Sequence, residues 1–200
     1  MILKKLLKSQ DLSLIKAFIK QNPGVWDIAI YGSYIRGKED ARDIDIALIL
    51  SKSFNAGKKI DLAYKLKKLF EKIIPFEIDV KAIDLQDFFD ENFLAREGII
   101  AESYLINRKR YLADLLGFKT FAIIKYNLKG LTYSQKKMLY YALKGRRGNE
   151  GVLKKINGEM LGKGILKIPV YAVFPIENLL KLHKLSFNVE LVMSYQKYNV

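Results

Sequence analysis

Two aspartates, Asp43 and Asp45, stand at alternate positions at the head of the apolar run 44–50. On a strand, alternate side chains share a face, so the two carboxylates lie side by side with Cα atoms about 7 Å apart. Ile44, Ile46, Leu48 and Leu50 then point the other way. Carboxylates paired at the end of a buried strand repel each other and gain nothing by burial. A cation between them relieves both costs, and divalent metal ions are the usual solution. Upstream, Gly32 and Ser33 directly follow the apolar run 25–31, and a charged connection leads on to the aspartates. Asp-x-Asp alone occurs in surface turns, and Gly-Ser alone marks a tight loop. The ordered combination of strand, loop and strand is far more specific.

A third acidic strand follows Pro75, in FEIDVKAI at 76–83. Phe76, Ile78, Val80 and Ala82 share one face; Glu77, Asp79, Lys81 and Ile83 share the other. If this strand pairs beside the Asp43–Asp45 strand, the backbones lie about 4.8 Å apart and Asp79 can reach the same ion. Glu77 projects to the same face and competes for that place. Asp79 is preferred because it sits at the centre of the run, whereas Glu77 sits near its start. A surface salt bridge between Asp79 and Lys81 is the structural alternative.

Gly32, Ser33, Asp43 and Asp45, with Arg36 and Gly37 in the spacer and Asp79 between Ile78 and Val80, resemble the nucleotidyltransferase superfamily of DNA polymerase β. The likeness is strongest to its small prokaryotic members and covers roughly residues 20–106, ending in Ala-Arg-Glu-Gly at 95–98. It implies an α/β (α+β) fold with a mixed sheet packed by helices. It also implies transfer of a nucleoside monophosphate from an NTP, ATP foremost, to a hydroxyl. Asp43 and Asp45 would hold two Mg²⁺ ions, with Mn²⁺ as the alternative, and Asp79 would complete the nucleophile side. Gly32 would let the backbone approach the phosphates, and Ser33 would offer a hydroxyl and an N–H at a helix N-terminus. Arg36 would contact phosphate, with Lys38 a weaker candidate. The acceptors left open are RNA or DNA, a protein hydroxyl as in antitoxins of this size, and a small hydroxylated molecule such as an aminoglycoside. A non-catalytic nucleic-acid-binding module is disfavoured because all three acids are present.

The elements that must position these residues read as follows. A helix is expected over 3–21, broken near Ser9, Gln10 and Asp11, with turn chemistry at Asn22-Pro23-Gly24. Strand 25–31, the Gly-Ser loop and the Asp-bearing strand come next. Helix 58–73 carries Leu62, Leu66, Leu69, Phe70 and Ile73 as its apolar stripe. Asp84 is the expected N-cap of a short helix, and 93–106 a helix running into a final strand. The domain boundary is placed at 107–110, giving a catalytic domain 1–107 and a small basic α+β domain 108–200. In the latter the expected elements are helix 108–116, strand 120–127, helix 133–144 capped by Thr132, a Gly-rich basic turn at 145–151, turns and a strand over 151–168, a helix from Pro175, and strand 189–195.

Half of the 200 residues are apolar, so a packed core is expected. No apolar run approaches bilayer length and no signal peptide is evident, so no membrane association is expected. Cysteine is absent, which excludes disulfides and thiolate metal sites and suits the cytoplasm. The net charge of +14 is uneven: residues 1–110 carry 20 Lys+Arg against 16 Asp+Glu, and residues 111–200 carry 15 against 5. That asymmetry points to a polyanion as partner of the second half, with Arg146, Arg147, Lys154 and Lys155 as contacts. Gly145, Gly148 and Gly151 either present N–H groups to phosphate or form a hairpin loop. No phosphate-loop pattern of the G-x-x-x-x-G-K-S/T kind is present. The small nucleotidyltransferases that the chain resembles often travel with a helical RNase-like partner whose signature places Arg four to six residues before His. His183, the single histidine, has no such Arg, so a fused partner of that kind is not expected, and His183 reads as a helix-surface or packing residue.

Overall fold

A computed structural model of the chain describes residues 6–195. The first of its two units, Met1–Gly117, is built on a five-stranded sheet of order β3-β2-β1-β4-β5. These strands are β1 (Val25–Tyr31), β2 (Asp43–Leu50), β3 (Glu77–Ile83), β4 (Tyr104–Leu105) and β5 (Arg110–Tyr111). Only β2 and β3 run parallel; the other pairs are antiparallel. Alternation along β2 sends Ile44, Ile46 and Leu48 into full burial with Ile28, Ile30 and Ile78. Also fully buried are Ile15 of α1 (Ser9–Gln21) and Leu62, Leu66 and Phe70 of α2 (Ala56–Ile73). The last three recur at intervals of four, the spacing that lines one face of a helix. Each stabilises the fold by about 1.5–3 kcal/mol relative to exposure. The Asn55 side chain starts α2 by accepting the Lys58 N–H at 2.9 Å.

The opposite face of the sheet is covered unevenly. Ala29, Tyr31, Ala47, Ile49 and Ile83 pack with Ile99, Leu105 and Leu112, from α4 (Ala95–Glu102), β4 and α5 (Leu112–Leu115). This layer stops short of the start of β2, leaving Asp43 exposed and Asp45 half-buried. Asp84 does cap the short helix α3 (Leu85–Phe89), accepting from the backbone of Gln86 and Asp87. Lys59 ties that cap to α2, 2.9 Å from Asp84 and 2.7 Å from Asp87.

Helix α1 begins at Ser9, where a break had been expected, because the Asp11 carboxylate in the first turn accepts the backbone N–H of the N-cap residue Lys8 at 2.7 Å. Residues 3–5 of the expected helix lie outside the described residues. The domain division falls after Gly117, not after Asn107. Asp27, fully buried on β1, accepts the N–H groups of Asn107 and Arg108 at 3.0 and 3.2 Å and pairs with the Arg108 guanidinium at 3.0 Å. The guanidinium also stacks over Trp26. The segment that reads as the domain boundary is therefore fastened to the first sheet. In place of helix 108–116 the chain turns at Lys109 (φ +55), adds β5, and makes only the one turn of α5.

The second unit, Phe118–Val200, is an antiparallel sheet of order β11-β6-β10-β9. Its strands are β6 (Phe118–Tyr126), β9 (Glu159–Gly162), β10 (Ile165–Pro169) and β11 (Phe187–Tyr195). Its core joins Ala122, Ile124, Leu166 and Ile168 of the sheet with Leu139 and Leu143 of α6 (Tyr133–Lys144) and Ile176 and Leu180 of α8 (Val173–Leu182). Thr132 caps α6 as expected, in a box with Gln135. The Gly-rich basic turn is a hairpin, β7 (Gly145–Arg146) with β8 (Asn149–Glu150). After it, 151–168 forms α7 (Val152–Lys155), β9 and β10, more regular structure than its glycines suggest. Helix α8 starts two residues before Pro175, which sits in the first turn where no N–H is needed.

Candidate active site

Cross-strand register brings the acids together. β1 runs antiparallel to β2 with Tyr31 opposite Asp45, so Gly32 leaves the strand directly beside that carboxylate. Gly32 has φ +77, and a Cβ there would run into the Asp45 carboxylate, whose Cγ lies 3.0 Å away. Glycine is required for both reasons. β3 runs parallel to β2 with Glu77 opposite Asp43 and Asp79 opposite Asp45. Four carboxylates therefore occupy one face in two cross-strand pairs. Burial, and then the neighbouring Asp43, push the Asp45 carboxyl above its usual range, while Lys81 and Arg36 oppose the shift.

Lys81 follows Asp79 on the same face and donates to its carboxylate at 2.8 Å. The ion pair read as the structural alternative thus exists, and it lies inside the acidic cluster. As placed, no three His, Asp or Glu side chains among the described residues surround a single ion site. Burial pushes the Tyr31 hydroxyl up to about 12, against the pull of Lys81 beside it.

The Gly-Ser loop continues as successive turns, with no helix N-terminus at Ser33. Lys38 N–H donates to the Ser33 carbonyl at 3.1 Å, and Gly37 at φ +88 prevents helical continuation. What holds the loop is Glu102, at the end of α4 and only 2 % exposed. One of its oxygens accepts the Gly32 N–H at 3.1 Å and lies 3.6 Å from the Arg36 guanidinium. Its other oxygen is buried without a hydrogen-bond partner. Burial raises its pKa, with Arg36 and the Gly32 N–H opposing. Sequence reading passed over Glu102; its one signal is an acid placed directly after the apolar Ile99, Ile100 and Ala101.

In the second unit, Arg146 stacks over Tyr141 with 4.9 Å to the ring centroid, and Arg147 sits at the hairpin tip with φ +49. Gly145 caps α6, donating to the Tyr141 carbonyl. Lys154 is paired with Glu150 at 2.6 Å, so part of its charge is already answered; Lys155 is exposed. His183 is the C-cap of α8.

The family model for polymerase beta nucleotidyltransferases matches residues 13–112, half of the chain and all of the acidic face. The chain belongs to this family. Among solved structures, this polymerase beta nucleotidyltransferase is similar to a toxin–antitoxin pair, MntA–HepT, at 15 % identity over 50 % of this chain and 71 % of that one, with a TM-score of 0.33. It is similar to a toxin–antitoxin structure with AMP-PNP at 18 % identity over 48 % and 71 % of the two chains, TM-score 0.35. A third is the tri-AMPylated Shewanella oneidensis HEPN toxin in complex with the MNT antitoxin, at 17 % identity over 55 % and 84 %, TM-score 0.35. Comparison with curated proteins gave no match. No helix among the described residues is long and apolar enough to cross a membrane.

Proposed function

We propose that Asp43, Asp45 and Asp79 hold two Mg²⁺ ions, or Mn²⁺ in their place, together with ATP. The site then moves AMP onto a hydroxyl of RNA, with pyrophosphate leaving, in the cytoplasm where ATP and Mg²⁺ are abundant. The observation that supports this best is the register, with Asp45 opposite Asp79 and Gly32 against Asp45. The donor set fits such ions: all are hard carboxylate oxygens, and the raised Asp45 pKa marks a place where positive charge is wanted. Lys81 already meets part of that demand. Bound ions of this kind stabilise the attacking and leaving oxygens of an in-line displacement. The chain's own residues bind and orient. Gly32 admits the phosphates close to the backbone, Ser33 offers its hydroxyl and N–H, and Arg36 offers its guanidinium. Asp79, turned away from Lys81, takes up the proton of the attacking hydroxyl.

The test is incubation with α-labelled ATP, Mg²⁺ and cellular RNA in the presence of cell protein, with labelled RNA and labelled protein separated on a gel. Label on RNA is expected. Asp43→Asn, Asp45→Asn and Asp79→Asn should each cut it by at least about 100-fold, beyond the 10–100-fold typical of outer-shell partners. Label on protein alone would reassign the acceptor. No label on either would overturn the reading.

A further inference from the structure

From residue 115 to residue 149 the chain holds no acidic residue, and within 127–149 it holds six lysines and arginines. Helix α6 lies in this stretch and sorts its outward residues into two rows at intervals of four: Lys136, Tyr140, Lys144 and, beside it, Tyr133, Lys137, Tyr141. Tyr133 is 80 % exposed and Tyr140 51 % exposed, so both rings are open to a ligand. Lys137 lies 5.8 Å from the Tyr133 ring and 5.9 Å from the Tyr141 ring, and Arg146 extends the second row from the hairpin. Lys136 also faces a cavity of about 330 Å³ that Asn127, Lys129 and Lys163 line with it. None of these three lysines forms a salt bridge among the described residues. All three are exposed.

We infer that the second unit binds single-stranded nucleic acid along α6. Backbone phosphate sits in the Lys129–Lys136–Lys163 cavity, and bases stack on Tyr140 and Tyr133. Cations alone would fit any polyanion. Two exposed aromatic rings in line with the cations specify a ligand carrying flat faces as well as charge, which single strands offer and duplexes bury. An acidic protein would use the lysines and leave the rings idle. The surface differs from one centred on Lys154, whose charge Glu150 answers in part.

The experiment is fluorescence anisotropy of a labelled oligouridylate with the full chain, without triphosphate, so that its result is independent of the chemistry at Asp43 and Asp45. Salt-sensitive binding is expected. Tyr133→Ala and Tyr140→Ala should each weaken it at least about fivefold with the salt slope unchanged. Lys136→Ala and Lys163→Ala should each flatten the slope of log K against log salt by about 0.7. All four side chains are exposed, so the variants are expected to fold. Tyrosine variants of full affinity, a duplex bound as tightly as the single strand, or polyglutamate bound as tightly as oligouridylate would overturn the inference. The last result would point to an acidic protein.

Discussion

Gly32 and Asp45 are locked together more tightly than the Gly-Ser pattern alone conveys. The pattern marks a turn; register turns it into a contact between backbone and carboxylate that leaves no space for a side chain. Gly32→Ala should abolish nucleotidyl transfer, because the Asp45 carboxylate must move, and should cost about 1–2 kcal/mol for the left-handed backbone alone. Activity and melting temperature measured on one preparation check both parts. Glu102 leads to a pH prediction. Its folded pKa is raised, as is that of Asp45. Metal-free protein therefore holds these protons more tightly than the unfolded chain, and this contribution to stability is lost as pH rises through the raised values. Glu102→Gln should flatten the fall of melting temperature as pH rises above the ordinary carboxylate range in chelator. A variant with the wild-type slope would show that Glu102 is ionised throughout.

Elements with a strong local signature were legible, and those held by distant side chains were not. Strand 25–31, the strand carrying Asp43 and Asp45, and the Thr132-capped helix announce themselves through alternation, apolar runs and cap chemistry. The neighbour of β2 was legible as well, from the alternation in FEIDVKAI and from the third acid that the family resemblance calls for. The stretch 107–117 was not. Its Asn-Arg-Lys-Arg run reads as a domain boundary followed by a helix, while its fate is set by a carboxylate 80 residues earlier in the chain. Glu102 escaped for a similar reason, since its partner Gly32 is 70 residues away. Asp27→Asn should destabilise the first unit by about 1.5–3 kcal/mol, the range for hydrogen bonds to a charged group. The amide would set an NH₂ against donors of Arg108. Denaturant unfolding of Asp27→Asn beside wild type measures this; an unchanged midpoint would show that Arg108 and Trp26 hold the segment unaided.

At the scale of the molecule, the charge of +14 resides mostly beyond residue 110, while the carboxylates of the proposed site lie before it. A triphosphate approaching Asp43, Asp45, Glu77 and Asp79 meets like charge unless cations stand between them. Metal dependence of nucleotide binding is therefore the most direct test of the site. Melting temperature should be followed with ATP and Mg²⁺, with ATP in chelator, and with Mg²⁺ alone, for wild type and for Asp45→Asn. Wild type should be stabilised by ATP with Mg²⁺, by about 2.7 kcal/mol at a hundredfold excess over Kd, and scarcely by ATP in chelator; Asp45→Asn should lose the shift. Equal stabilisation with and without Mg²⁺, or an Asp45→Asn protein that keeps the full shift, would contradict a metal–triphosphate site on this face.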